Sequence, residues 1–219
     1  MELSYWQSRW KKDKTGFHMP GGYPGLRAHW HALDLPDQPK ILVPLCGKTE
    51  DLLYLESQNG IVTGVEISEK AVIEFFEEHN RTFSVREKGG FNIYQSGSIE
   101  LWQGDFMKFP APDAPFDLIY DKAALVALPL EKRPSYADHL STCAGSTGQI
   151  LLHHFIYPQK QMTGPPFSVG SEEVEKYFSE RYRIYTLEEQ ILSSDLFPPF
   201  QRRGLESPLT ERFLHLQPC

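Results

Sequence analysis

Cysteine is scarce in this chain: Cys46, Cys143 and Cys219 are far apart, odd in number and without a C-x-x-C pair. That pattern supplies neither a disulfide framework nor a zinc site, and it suits a reducing compartment. Positive charge is also in deficit, with 22 Lys and Arg against 29 Asp and Glu and a net charge of −7. A sequence-independent grip on a nucleic-acid backbone needs a basic face, so that class of partner is not expected. Long apolar runs are missing too, since no stretch approaches the ~20 residues that span a bilayer. The opening Met1-Glu2-Leu3-Ser4-Tyr5-Trp6 lacks the basic and apolar regions of a signal peptide. Internal repeats, low-complexity tracts and linkers are absent as well. The expectation is a cytoplasmic monomer of one domain, residues 1–219, with no membrane or nucleic-acid partner.

Glycine is sparse where phosphate binders need it most. Gly47-Lys48-Thr49 ends like a P-loop, yet the position five residues before Gly47 is Leu42, inside an apolar run. The anion nest cannot form there, which excludes ATP or GTP binding of that type. No G-x-G-x-x-G follows the run either, so a pyrophosphate has no cradle.

What is present begins with that run. Ile41 to Leu45 is short, apolar and rich in branched residues, and it stops at Gly47. Such a run reads as a buried strand of a parallel sheet, with Gly47 allowing the tight turn and close approach a ligand requires. A second run, Ile61-Val62-Thr63-Gly64-Val65, ends on Glu66, 19 residues past Gly47. A carboxylate about 20 residues past the glycine turn of a doubly wound sheet accepts hydrogen bonds from a ribose diol. A solvated residue at a strand end is the plainer reading of Glu66, and the spacing favours binding. With a nucleoside half-site and no phosphate cradle, S-adenosylmethionine is the ligand these residues suggest.

The other elements follow the same periodicities. Leu3, Trp6 and Trp10 share the face of a short N-terminal helix, either capping the core or forming a lid over a ligand. Thr15 to Gly22 reads as a glycine-rich loop carrying Phe17, and helix 24–34 follows it. Helices are expected from Thr49 to Asn59, from Ser68 as N-cap to His79, from Pro129 to Cys143 and from Ser171 to Phe178. Two short strands about Gly89-Gly90 read as an insertion outside the parallel core. Further strands are expected at 99–102, 116–121 and 149–157, with 182–188 and 211–216 as a C-terminal antiparallel hairpin. Residues 193–209, rich in proline, read as a surface loop.

Two further acidic positions carry chemistry by their place. Asp105 follows the strand at 99–102, where an adenine amino group would fall, although loop capping explains it nearly as well. Asp121 ends the strand at 116–121 and faces the same cleft by the carboxyl-end rule. His153 and His154 are adjacent on a strand and point to opposite faces, so they cannot chelate one metal and are expected in a core or loop role.

These residues carry a resemblance. Trp6-Gln7-Ser8-Arg9-Trp10 with Gly16-Phe17-His18, then Val43-Pro44-Leu45-Cys46-Gly47-Lys48, resembles the thiopurine S-methyltransferase family. So do Gly64-Val65-Glu66-Ile67-Ser68 with Phe75-Phe76, Tyr120-Asp121-Lys122-Ala123-Ala124-Leu125-Val126-Ala127, and Gly164-Pro165-Pro166-Phe167. The match runs in order from residue 5 to about residue 180, and the last forty residues resemble the family only loosely.

The resemblance implies a class I methyltransferase fold. That fold is a Rossmann-like α/β doubly wound sheet of seven strands, with an antiparallel C-terminal strand and an N-terminal lid, residues 1–22. It implies S-adenosylmethionine as cofactor and no metal. By the same resemblance, Trp6, Trp10 and the loop to Phe17 cover cofactor and substrate, and Leu45 lines the methionine part, next to the close cofactor approach already expected at Gly47. Glu66 binds the ribose, and Asp105 and Phe106 bracket adenine. Lys122 stands where the family usually has an arginine, keeping the charge and losing the planar fork. Phe17 becomes the aromatic wall for a flat heterocyclic thiol.

Methyl transfer from a sulfonium to a thiolate disperses charge, so alignment in a closed pocket matters more than electrostatic stabilisation. Asp121 and His18 are the candidates if a general base is used. The alternatives are a small-molecule relative acting on halide, thiocyanate, hydrosulfide or selenium and tellurium compounds, and a cofactor-binding module without turnover.

Overall fold

The computed structural model describes residues 3–112 and 114–219. The chain forms two compact units, Met1–Tyr120 and Asp121–Cys219.

The first unit opens with α1 (Leu3–Lys11) and α2 (Pro24–His29), the latter continued by a 3-10 turn over Trp30–Ala32. Pro24 at the first position of α2 supplies a preset φ where a missing N–H costs nothing. The parallel core follows as β1 (Lys40–Pro44), α3 (Asp51–Ser57), β2 (Ile61–Glu66) and α4 (Glu69–Glu78). Asn59 adopts a left-handed φ of 65° just past α3, as a residue that tolerates this conformation does after a helix end. Ser68 caps α4 by accepting the N–H of Ala71, and Ala71, Val72, Phe75 and Phe76 form its buried face.

The predicted insertion is an antiparallel hairpin, β3 (Ser84–Lys88) and β4 (Phe91–Ser96), and β4 pairs with β5 (Ile99–Gln103). The sheet of this unit therefore runs β3-β4-β5-β2-β1-β6. β6 (Leu118–Lys122) carries the chain onward, its Leu118 and Ile119 in parallel register with Ile41 and Leu42 of β1. The hairpin's outer strand β3 is exposed throughout and carries Arg86, Glu87 and Lys88, which blunts it as an edge. The seven strands expected for the core are thus joined by this pair, nine in all among the described residues.

The second unit contains α5 (Arg133–Ala144), β7 (Gln149–Ile156), α6 (Ser171–Phe178), β8 (Tyr182–Leu192), α7 (Pro198–Gln201) and β9 (Leu209–Pro218). β9 lies between β7 and β8 and is antiparallel to both, the predicted C-terminal hairpin with a bulge between Thr186 and Glu188. The reading of 193–209 as a surface loop needs correction. It holds a 3-10 turn and α7, and its Leu205 and Leu209 are buried with Tyr157 and Met162, with Phe197 and Phe200 against them. A proline-rich composition marks punctuation; it does not reveal that every few residues an apolar side chain turns inward.

Candidate active site

The site grows from the carboxyl ends of β1 and β2. After Pro44 the chain turns sharply, with Leu45 at φ 50° and Gly47 at φ 55°. A left-handed leucine costs on the order of 1 kcal/mol or more, and such strain collects at ligand clamps. Glycine takes the second position freely, and it has to: a Cβ there would sit 3.0 Å from Cζ2 of Trp10.

Glu66 ends β2 and is buried, with Oε2 accepting the N–H of Gly47 at 2.8 Å and Oε1 accepting the N–H of Ser68 at 2.8 Å. The 19-residue interval read from the sequence is therefore closed by a direct bond, which locks the β1 turn to the β2 turn. Burial pushes the Glu66 carboxyl up to about 7, and the N–H groups of Ser68, Gly47 and Ile67 oppose this only in part. Each carboxylate oxygen keeps a second lone pair. The backbone O of Glu66 accepts from Gly104, and Gln103 donates its amide to the O of Ile67, so the segment that follows β5 is tied to the same turn.

On that segment Asp105 accepts the N–H of Met107 and caps a short 3-10 turn, as the plainer reading expected, while remaining partly accessible. Phe106 beside it is buried and stacked with Phe109, ring centroids 6.2 Å apart. Cys46, between Leu45 and Gly47, is buried with its thiol raised well above the usual range by burial and by the Glu66 charge, so it is no nucleophile.

The N-terminal helix and loop close over this turn. Trp10 is 2% exposed, and its ring packs on Gly47. Phe17 meets Trp6 at 5.3 Å and Trp10 at 5.4 Å, both edge to face, yet stays 41% exposed. His18 sits in the turn closed by its own N–H to the O of Thr15 and is half-buried.

Lys48 turns away from the site, held by Glu74 at 2.9 Å and Glu78 at 2.6 Å. A lysine committed to two carboxylates does not serve a phosphate, in agreement with the missing nest. A nucleoside bearing a sulfonium fits this turn better: a buried acid with spare lone pairs, a glycine without Cβ, and aromatic faces in place of cations. Among the described residues no group of three or more His, Cys, Asp or Glu could hold a metal ion. No helix there is long and apolar enough to cross a membrane.

The second unit corrects one expectation. Asp121 does not open onto solvent; it is fully buried, with Oδ1 accepting the N–H groups of Ala124 and Leu125 and Oδ2 accepting the Tyr136 hydroxyl at 2.8 Å. The carboxyl-end rule gives a strand residue's position, not its side-chain direction, and this carboxylate shapes the chain after β6, where Ala123 is left-handed at φ 57°. Lys122 next to it is half-buried. His153 faces Glu211 at 2.6 Å and His154 donates Nδ1–H to the O of Val169, so both belong to the core; burial holds His154 down at about 4. Asp51, which no sequence motif marked, meets Tyr120 beneath the N-terminal loop; an acid two residues after Thr49 at a helix start was the one available signal.

Comparison with known proteins places this architecture. The family model for thiopurine S-methyltransferase (TPMT) matches residues 1–213. The chain belongs to that family. A thiopurine S-methyltransferase of Pseudomonas fluorescens is 44% identical over 86% of this chain and 87% of its own length. One from Azotobacter vinelandii is 40% identical over 99% of both chains. Among solved structures, a TehB-like SAM-dependent methyltransferase from Corynebacterium glutamicum superposes with TM-score 0.58 at 13% identity, covering 99% of this chain and 98% of its own. A Burkholderia thailandensis N1-methyltransferase, solved with S-adenosylhomocysteine bound, superposes with TM-score 0.62 at 13% identity over 99% and 86%. These two establish the class I methyltransferase fold. The thiopurine S-methyltransferase family makes this chain an S-adenosylmethionine-dependent S-methyltransferase.

Proposed function

We propose that the enzyme methylates the sulfur of small aromatic or heterocyclic thiols, thiopurines among them, by in-line attack of the thiolate. The observation that carries this reading is the Trp6–Phe17–Trp10 cluster, whose buried member seals the Gly47 turn while Phe17 offers a flat, accessible ring face. An aromatic wall favours a planar acceptor through stacking, at about 0.5–1.5 kcal/mol beyond the area buried.

When bound, S-adenosylmethionine supplies an electrophilic methyl group on a sulfonium. Glu66 holds its ribose through the spare lone pairs of both oxygens, each charge-assisted hydrogen bond contributing on the order of 1.5–3 kcal/mol. Leu45 and Gly47 line the methionine part, and Asp105 and Phe106 bracket the adenine. Trp10 and Phe17 exclude water and hold the acceptor sulfur at near-attack distance, about 3–3.5 Å, which is the main source of acceleration here. Heteroaromatic thiols ionise readily in solution, so no proton has to be removed by the protein. His18, on the covering loop, is the residue placed to take one if needed; Asp121, engaged by three donors, is not.

Release of S-adenosylhomocysteine from purified enzyme offered 6-mercaptopurine, thiophenol, iodide, thiocyanate and selenite tests this. Turnover with the aryl thiols, reduced in Phe17→Ala, is expected. Turnover confined to the small anions, or an unaltered Phe17→Ala enzyme, refutes it.

A further inference from the structure

We infer that Asp51 is a positioning residue for the acceptor, fixing the base of the Phe17 loop to the cofactor turn. This rests on the reading of Phe17 as the acceptor's wall. Asp51 opens α3, four residues past Gly47, and is fully buried. An ionised carboxylate tolerates such burial only when its lone pairs are satisfied. The donors come from three separate segments. Oδ1 accepts the N–H of Tyr23 at 2.7 Å; Oδ2 accepts the Thr49 hydroxyl at 3.0 Å and the Tyr120 hydroxyl at 3.1 Å. One side chain thus joins the end of the covering loop, the turn after β1 and the middle of β6.

The loop is shaped to receive it. Gly22 has a φ of 75°, and a Cβ there would collide with Oδ1 of Asp51, so glycine is required on both counts. Gly21 donates its N–H to Oε1 of the adjacent Glu50 at 3.0 Å, and Arg27 binds the O of Gly21. At its other end the loop is held by Trp10 on Gly47 and by the ion pair of Asp13 with Lys70 on α4. Phe17 lies between the two anchors. Its ring meets Trp6 and Trp10 edge to face, both on the N-terminal segment, so the position of the ring depends on where the loop is pinned. Of the two anchors, the exposed Asp13–Lys70 pair contributes little, whereas the buried Asp51 bonds do not compete with water. A displacement of about 1 Å at a reacting centre costs on the order of 100-fold in rate, so the pin matters to catalysis even though it touches neither reactant.

The test compares Asp51→Ala, Asp51→Asn, Gly22→Ala and Phe17→Ala with thiophenol as acceptor. Three quantities are read: kcat and KM for the thiol, cofactor Kd by calorimetry, and acrylamide quenching of tryptophan fluorescence well below each variant's Tm. Asp51→Ala is expected to raise the thiol KM about tenfold, equivalent to ~1.4 kcal/mol, to increase quenching of the tryptophan fluorescence, and to leave cofactor Kd within about threefold. Asp51→Asn keeps an oxygen for the Tyr23 N–H and should recover most of the loss. Gly22→Ala leaves the carboxylate intact and displaces the loop from it, and so should copy Asp51→Ala even if that variant folds poorly. A raised thiol KM in Phe17→Ala with unchanged values in both Asp51→Ala and Gly22→Ala would overturn the inference alone. Unchanged turnover in Phe17→Ala would overturn the wall reading and the inference with it. Loss of cofactor affinity without change in thiol KM would also overturn it, since Asp51 would then serve only the cofactor turn.

Discussion

Cofactor affinity should depend on pH through Glu66. Its carboxyl is raised from 4.5 to about 7 because burial outweighs the N–H groups that stabilise the anion. Only the anion gives ribose hydroxyls two charged acceptors, so binding below pH 7 has to expel a proton. Kd is therefore expected to be flat above pH 8 and to rise by up to tenfold per unit as pH falls below about 7. Calorimetry in buffers of different ionisation enthalpy should register the released proton directly. Glu66→Gln retains one acceptor oxygen and loses the charge; a lost charge-assisted bond of about 1.5–3 kcal/mol weakens binding on the order of 10- to 100-fold at pH 8, with no pH dependence left from this site. The free enzyme's stability carries the opposite sign. A folded pKa above the unfolded one means the stabilising contribution is complete below pH 4.5 and is lost as pH rises through 7, about 3 kcal/mol in all. Wild-type Tm should fall over that window, more steeply than that of Glu66→Gln. A wild-type Kd independent of pH between 5.5 and 8 would refute the assignment of Glu66 to the ribose.

Asp121→Asn should lower stability by about 1–3 kcal/mol, because an amide cannot accept from all three donors, while thiol KM stays within about twofold; a collapse of kcat at unchanged Tm would restore Asp121 as a base. Gly64→Ala should destabilise by on the order of 1–3 kcal/mol, read as a fall in Tm, since its Cβ would lie 2.6 Å from Leu101 and 2.8 Å from the Cys46 sulfur. Lys48→Ala should change stability by no more than about 1 kcal/mol in chemical denaturation, the value of partly exposed ion pairs.

Much of the architecture was legible in the chain because it is written in local periodicity. Runs such as Ile41–Leu45 and Ile61–Val65 read as strands by their length and branched residues, and Ser68 before Glu69 announces a helix start by the chemistry of a hydroxyl facing free N–H groups. The interval from Gly47 to Glu66 is equally local, since one helical crossover sets its length, and a direct hydrogen bond joins the two residues. Residues 193–209 resisted because their apolar positions follow no period, and only a folded surface against Tyr157 and Met162 tells which ones turn inward.

Direction and burial were decided by tertiary structure. Asp105 follows one strand and Asp121 lies near the carboxyl end of another, and sequence treats them alike. The fold leaves the first partly accessible and surrounds the second with Ala124, Leu125 and Tyr136. Trp10 reads equally as core or lid in the sequence, and the fold buries it against Gly47. Asp51 carries no motif at all; it matters because Tyr23, Thr49 and Tyr120, distant in the chain, aim their donors at one carboxylate. The strands, the crossover, the acid at its end and the absence of a phosphate cradle are written in the chain, each a property of neighbouring residues. Which acids stay open to a ligand and which are consumed in holding the chain depends on donors supplied from elsewhere, and only the packed structure brings those together.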